Sequence, residues 1–313
     1  MIDFFISIGS FIMAPLYWVT SVILVGFHNL FSTFLDPASG ASWALSIIGL
    51  TLVIRAALIP LFVKQIKSSR NMQLLQPKVK ELQKKYGHDR EQLAQKTMAL
   101  YKETGTNPFA SCLPILLQMP IFLSLFRLLD QAAKGNPKGV LTQEQATQFG
   151  EATLFGAHIA DTFLSTDSWS VRALALVLVV AMSATTFLTQ KQLMSKNMPA
   201  DAMSGPYAQQ QKMLLYILPL VFAVGGIAFP IGVLLYWTTS NLWTMCQQFY
   251  VIRNNPAPGT PAAEAKLARI KAKQAKKGIV ADEPEVLPEV TDKPVAPRQQ
   301  PKKQTRSQRK KKP

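Results

Sequence analysis

"ALSIIGLTLVIRAALIPLFV", residues 44–63, is a run of twenty residues with one charge, Arg55, inside it. As a helix, about twenty mostly apolar residues cover the roughly 30 Å of bilayer hydrocarbon. A guanidinium cannot lose its charge in a protein, and at a bilayer centre it costs about 3 kcal/mol on insertion scales. Arg55 therefore has to face water or a partner. The stretch points to a membrane helix with one polar side.

The rest of the chain extends that reading. It has 313 residues, 48% hydrophobic and only 17% charged, yet a net charge of +16. Of its 34 Lys and Arg, ten lie between Lys64 and Lys102 and sixteen from Arg253 onward. Apolar stretches separated by basic blocks are the pattern of a multi-span membrane protein. Four more segments are long and apolar enough to cross: 109–129, 170–190, 213–229 and 231–252. Gly225, Gly226 and Pro230 predict a tight hairpin between the last two. The basic loops 64–104 and 191–212 and the tail are placed in the cytoplasm. The 130–168 loop, with two basic residues against five acidic ones, is placed outside. The C-terminus is then inside. Residues 4–35 fit either a span or, from the polar stripe Ser10, Tyr17, Ser21, His28 and Ser32, a helix on the outer surface.

Between the first two spans, Met72, Leu75, Val79, Leu82 and Tyr86 recur at spacings of three and four, as in a coiled-coil seam. Gly87 stops this arm, Asp89 with Gln92 caps the next, and Leu93, Thr97 and Leu100 continue the seam to Gly105. The pattern predicts a helical hairpin over 65–104, kinked by Pro77. Residues 253–313 form a basic tail too poor in apolar residues to fold alone, although 262–277 could become helical on a surface. With no aromatic among its basic runs, its attraction to phosphate, whether ribosomal RNA or anionic lipid, is sequence-blind.

Nothing in the chain suggests hydrolysis or redox chemistry, so an enzyme is not expected, nor a cofactor or a metal. Cys112 and Cys246 read as small buried hydrophobes, and His28, His88 and His158 stand in unrelated contexts. A transporter would want inverted repeats, and no second copy of the Arg-bearing span is found. Intramembrane proteolysis lacks a Ser–His or Asp–Asp pair. What stands out is polarity in an apolar solvent. Thr51 shares a face with Arg55; Gln118 lies midway along the second span; Trp237, Ser240, Thr244 and Gln248 share a face of the fifth, which also carries Asn241. A water-filled cavity lined by these faces would hydrate Arg55. Individually, a Ser or Thr can bond back to its own helix, and a Gln can join two helices. Pro60, Pro114, Pro120 and Pro219 favour bent helices around such a cavity.

"RAALIPLFVKQIKSSRNMQLLQPKVKELQKKYG", "GTNPFASCLPILLQMPIFLSLFRLL" and "FPIGVLLYWTTSNLWTMCQQFYVIR" closely resemble the YidC/Oxa/Alb superfamily of membrane protein insertases, and "LFGAHI" its short actinobacterial type. The resemblance covers about residues 10–255. It implies an all-α polytopic protein of the bacterial cell membrane. A five-helix core, residues 41–252, would enclose a hydrophilic groove open to the cytoplasm and closed outside, preceded by a surface amphipathic helix within residues 1–40. That would leave the N-terminus outside. It implies insertion of nascent membrane proteins, alone or beside the Sec translocon, with an assembly chaperone as the nearer rival. On the family's pattern the groove arginine falls on Arg55, the threonine one turn earlier on Thr51, and the aromatic substrate position on Trp237, beside Tyr236. The hairpin would contact signal recognition components, and the tail the ribosome or lipid. The large periplasmic domain and N-terminal lipidation of some relatives are not expected, and Trp237 stands where some have Tyr.

Overall fold

The computed structural model describes residues 2–63, 65–66, 75–106, 113–198 and 206–277. The expectations for Met72, Cys112 and the tail beyond residue 277 lie outside them. Among the described residues the regular structure is helical apart from one two-stranded ribbon. In order it forms α1 (Ile2–Phe31), α2 (Gly40–Ala57), the hairpin arms α3 (Gln76–Tyr86) and α4 (Arg90–Glu103), α5 (Leu113–Ala133), α6 (Gln143–Glu151), β1 (Thr153–Leu154), β2 (Ala157–His158), α7 (Trp169–Asn197), α8 (Pro206–Gly226), α9 (Ile231–Asn254) and α10 (Pro261–Lys276). Among the described residues, Met13–Phe31, Gly40–Ala57 and Trp169–Asn197 are long and apolar enough to cross a membrane, and Gln211–Gly226 is a shorter apolar helix.

Local chemistry sets the element ends. The Ser39 hydroxyl accepts the Ser42 N–H and starts α2. α2 stops at Leu58, whose N–H turns back to the carbonyls of Ile54 and Ala56, and helix resumes over 59–63. Pro60 explains the break, since it cannot donate to the Ala56 carbonyl and its ring crowds the preceding turn. The single helix expected over 44–63 is thus interrupted just past Arg55. In the hairpin, Asp89 accepts the N–H groups of Glu91 and Gln92, and Gly105 ends α4 at φ +64°. Pro77 stands in the first turn of α3 and does not kink it; that turn has no intrahelical acceptor for its N–H.

The 130–168 loop holds more structure than expected. Thr142 and Gln145 form a reciprocal capping box at the start of α6. The ribbon turns through Phe155 and Gly156, both at positive φ (52° and 75°), as a two-residue hairpin requires. The carbonyls of Asp161 and Ile159 then accept the N–H groups of Ile231 and Gly232 at 3.0 and 2.9 Å. Two of the free donors in the first turn of α9 are satisfied by this loop.

The core sits at this loop end of the molecule. Trp43, Ile47 and Leu50 of α2, Leu125, Leu128 and Leu129 of α5, Phe149, Ile159, Val171, Ile231 and Leu234 are all buried in one cluster. Towards the hairpin end the faces of α5 and α9 lose their cover, while α7 and α8 keep a smaller buried cluster of Met194, Met198 and Leu215. Leu116, Met119 and Leu123 of α5 and Leu242, Phe249 and Tyr250 of α9 are exposed. So are Leu176, Val177 and Val180 of α7 and Ile217, Leu220, Val221 and Val224 of α8, an apolar belt suited to lipid.

α1 packs on α2 and α5. His28 stacks on Trp43 at 3.8 Å between centroids and meets the Pro37 carbonyl at 3.0 Å through Nε2. The Thr20 and Ser124 hydroxyls are 3.1 Å apart. The Lys138 ammonium lies 4.4 Å from the Tyr17 ring centroid, Ser21 accepts the Val140 N–H, and Asn29 meets Gln145. Twelve residues of helix, about 18 Å, thus stay beside residues 138–145.

Beyond α9 the Ala257 N–H donates to Asn197 Oδ1 at 2.8 Å, and Thr260 caps α10 through the Ala263 N–H. Ala257, Ala262 and Ala263 are buried. The first compact unit runs to Arg269. Packing thus continues beyond residue 252 to the first turn of α10.

Candidate functional site

Arg55 is 8% exposed and ends the buried stretch of α2. Its Nε donates to the Ser240 hydroxyl at 2.9 Å, its Nη2 donates to the same oxygen, and its guanidinium carbon lies 5.8 Å from the Phe62 ring centroid. Ser240 in turn ends the buried block that opens α9. The pairing follows from register. A Cβ on Gly232 would lie 3.6 Å from Ile47, and eight residues, about 12 Å, further along each helix bring Arg55 beside Ser240. One turn before Ser240, the Tyr236 hydroxyl accepts from Gln118 Nε2 at 2.8 Å and interacts with Ser240. α2, α5 and α9 thus converge on one polar group of four side chains.

No carboxylate among the described residues comes within ion-pair distance of Arg55. The pairs there are Lys134–Asp130 and Arg172–Asp167, both on the loop side. One hydroxyl oxygen serves two of the five guanidinium N–H donors. Gln118 Oε1 is buried without a partner, and such an atom calls for water or a bound donor. The group lies where the runs of buried residues in α2 and α9 end. It presents a fixed positive charge that can donate to an acidic or carbonyl group, and it can bind water; it has no nucleophile–base pair.

The other expected residues are placed differently. The Thr51 hydroxyl bonds back to the Ile47 carbonyl, and Thr244 to that of Ser240. Asn241 turns to α7, reaching Thr186 Oγ1 at 3.0 Å and the Met182 carbonyl. Gln248 is half-buried two turns beyond Ser240. Trp237 stands in an aromatic group with Phe122, Phe222 and Phe229, at 5.1, 4.9 and 5.6 Å between centroids. The sequence reading missed Phe62 and these three phenylalanines. Phe62 carried a usable signal, being seven residues from Arg55 and so on its helical face. The phenylalanines come from three separate segments, and no local pattern joins them.

In the hairpin, Val79, Gln83, Leu93, Thr97 and Tyr101 line an open groove between the arms, and burial there pushes the Tyr101 phenol above its ordinary range. No cluster of three His, Cys, Asp or Glu suited to a metal occurs among the described residues. Cys246 is a free, exposed thiol.

Comparison with known proteins adds the following. The family described as 60Kd inner membrane protein matches residues 34–258. The membrane protein insertase YidC of Streptomyces avermitilis is 45% identical over 277 residues, 86% of this chain and 64% of its own length. That of Tropheryma whipplei strain Twist is 37% identical, over 83% of this chain and 89% of its own. A crystal structure of active YidC insertase with its first transmembrane domain resolved aligns at 26% identity and a TM-score of 0.47, covering 74% of this chain and 46% of that one. The chain spans less than two thirds of the Streptomyces relative, and nearly all of the Tropheryma one.

Proposed function

The chain belongs to the 60Kd inner membrane protein family, whose members compared above are YidC insertases, and from that premise we propose that it inserts nascent proteins into the bacterial cell membrane through a polar groove at Arg55. In this reading α2, α5, α7, α8 and α9 are five spans. The hairpin and the ends of α7 and α9 face the cytoplasm. The 134–168 loop faces outward, and α1 lies along the outer surface, which its run of contacts with residues 138–145 supports.

The observation that carries the reading is the uneven packing. Side chains close the loop end with aromatic and aliphatic bulk, and on α2 and α9 the continuous run of buried residues stops at Arg55 and Ser240, while beyond that level α7 and α8 keep a smaller buried cluster of Met194, Met198 and Leu215. A space open from the hairpin end brings water and a fixed positive charge to mid-depth. A hydrophilic segment entering it travels only the remaining half of the hydrocarbon without solvation. The guanidinium attracts acidic residues of that segment more strongly than it would in bulk water. The adjoining apolar segment slides along the exposed faces of the helices into lipid, and its burial drives the step without a nucleotide. Trp237 and its phenylalanine neighbours offer that segment an apolar wall. The hairpin receives the incoming chain and signal recognition components, the tail recruits the ribosome, and the Sec translocon shares larger clients.

The test is reconstitution of the purified protein in liposomes with one single-span substrate bearing an acidic translocated end. Protease-protected product should form without an energy source, and Arg55→Ala should lower its yield at least tenfold. Unchanged yield would overturn the role of the charge. Yield equal to that of empty liposomes with the unaltered protein would overturn insertion itself.

A further inference from the structure

At the hairpin end of α7, α9 and α10, three cations surround one cavity of about 150 Å³: Lys196, Arg253 and Arg269. Gln192, Phe249 and Ile252 share its wall. The three come from separate helices, so the fold gathers them; a local run of charge does not account for it. Like charges brought together repel, and no described carboxylate forms an ion pair with any of them. Arg269 is held in place, since its Nη2 donates to the Arg253 carbonyl at 2.6 Å near the end of α9. The rest of its planar fork stays free, the geometry suited to a phosphate oxygen pair. Beside the cavity, Phe249 and Tyr250 are 50% and 68% exposed, and Arg253 follows them along α9. Aromatic residues and then a cation is the order of a membrane–water interface.

We propose that this cavity binds the phosphate of an anionic lipid headgroup in the inner leaflet. The inference rests on the orientation proposed above, not on insertion activity. The cavity has room for a phosphate group and not for a whole lipid, so the acyl chains would lie along the exposed Phe249 and Tyr250. An apolar wall on one side and cations on the other match an amphiphile better than a free ion or a strand of RNA, which would leave the apolar wall without use. Each Lys or Arg near an anionic surface is worth about 1 kcal/mol, so removing two cations should weaken binding about thirtyfold.

The full-length protein is placed in nanodiscs of equal phosphatidylcholine and phosphatidylglycerol and examined by native mass spectrometry for retained lipid. Phosphatidylglycerol should be retained over phosphatidylcholine. Lys196→Gln/Arg269→Gln should lose that retention, while the charge-matched tail change Lys311→Gln/Lys312→Gln should keep it. Lys196→Gln alone, at an exposed position, guards against misfolding and should give a partial loss. Equal retention in the cavity and tail variants overturns the proposal. Displacement of the lipid by millimolar inorganic phosphate would assign the cavity to a free anion. Displacement by a short RNA oligonucleotide would assign it to nucleic acid. Either result also overturns the proposal.

Discussion

The guanidinium of Arg55 and the hydroxyl of Ser240 lie on different helices and meet at the edge of the core. Ser240→Ala keeps the volume and removes the acceptor. The charge then leans further on water, and insertion of acidic-tailed substrates should fall severalfold, less than for Arg55→Ala. Ser240→Val fills the position with methyl groups and should approach the Arg55→Ala defect; equal activity of both Ser240 variants with the unaltered protein, measured as protease-protected product, would show that the hydroxyl is dispensable. Arg55→Lys keeps a charge but offers three donors on a shorter stem, and intermediate activity is expected. Arg55 itself was legible in the sequence because a lone permanent cation in twenty apolar residues has few physical outlets. Its partners were legible as a set of polar candidates only. Thr51, Ser240 and Thr244 look alike in a string of letters, yet two of them close on their own helix and one reaches across. Intrahelical closure is open to any Ser or Thr; the choice depends on which face meets a neighbour.

At the scale of elements, α1 and α2 meet through Gly49, where a Cβ would stand 2.7–2.9 Å from the Phe27 ring. Gly49→Val should push α1 off α2 and lower the thermal midpoint of the detergent-solubilised protein, with the paired change Phe27→Ala recovering part of the loss. A midpoint unchanged in Gly49→Val would mean the two helices have slack between them. Phe149 anchors the loop helix α6 against Trp43, their rings edge-on at 5.2 Å. Phe149→Ala should cost about 3–5 kcal/mol of stability, as large-to-small changes in a closed core do. The helices over α2, α7 and α9 were readable from hydropathy alone. α6 was not, because its apolar stretch is short, although "TQEQ" at 142–145 carried the capping signal. The break at Leu58 was also in reach, since Pro60 removes a donor wherever it stands in a helix.

For the whole molecule, the charge distribution suggested an order of layers and carried no sign of the packing at residues 257–263. Ala257 and the first turn of α10 hold to Asn197, so two truncations should differ. Removing residues 278–313 should weaken ribosome co-sedimentation at low salt and leave the thermal midpoint in place. Removing 256–313 should lower the midpoint as well, and equal midpoints would return this segment to the tail. The closed end has a further consequence for clients. The carbonyls of Ile159 and Asp161 stitch this loop onto α9 by its backbone, so on the proposed orientation no side-chain swing opens an exit there. On that proposal a passenger's hydrophilic end would finish its journey through the far leaflet beside the protein, unaccompanied. The toll for that last stretch rises with every charge carried, which restricts unaided clients to those with brief, sparsely charged outer tails and leaves longer ones to a machine with a true pore.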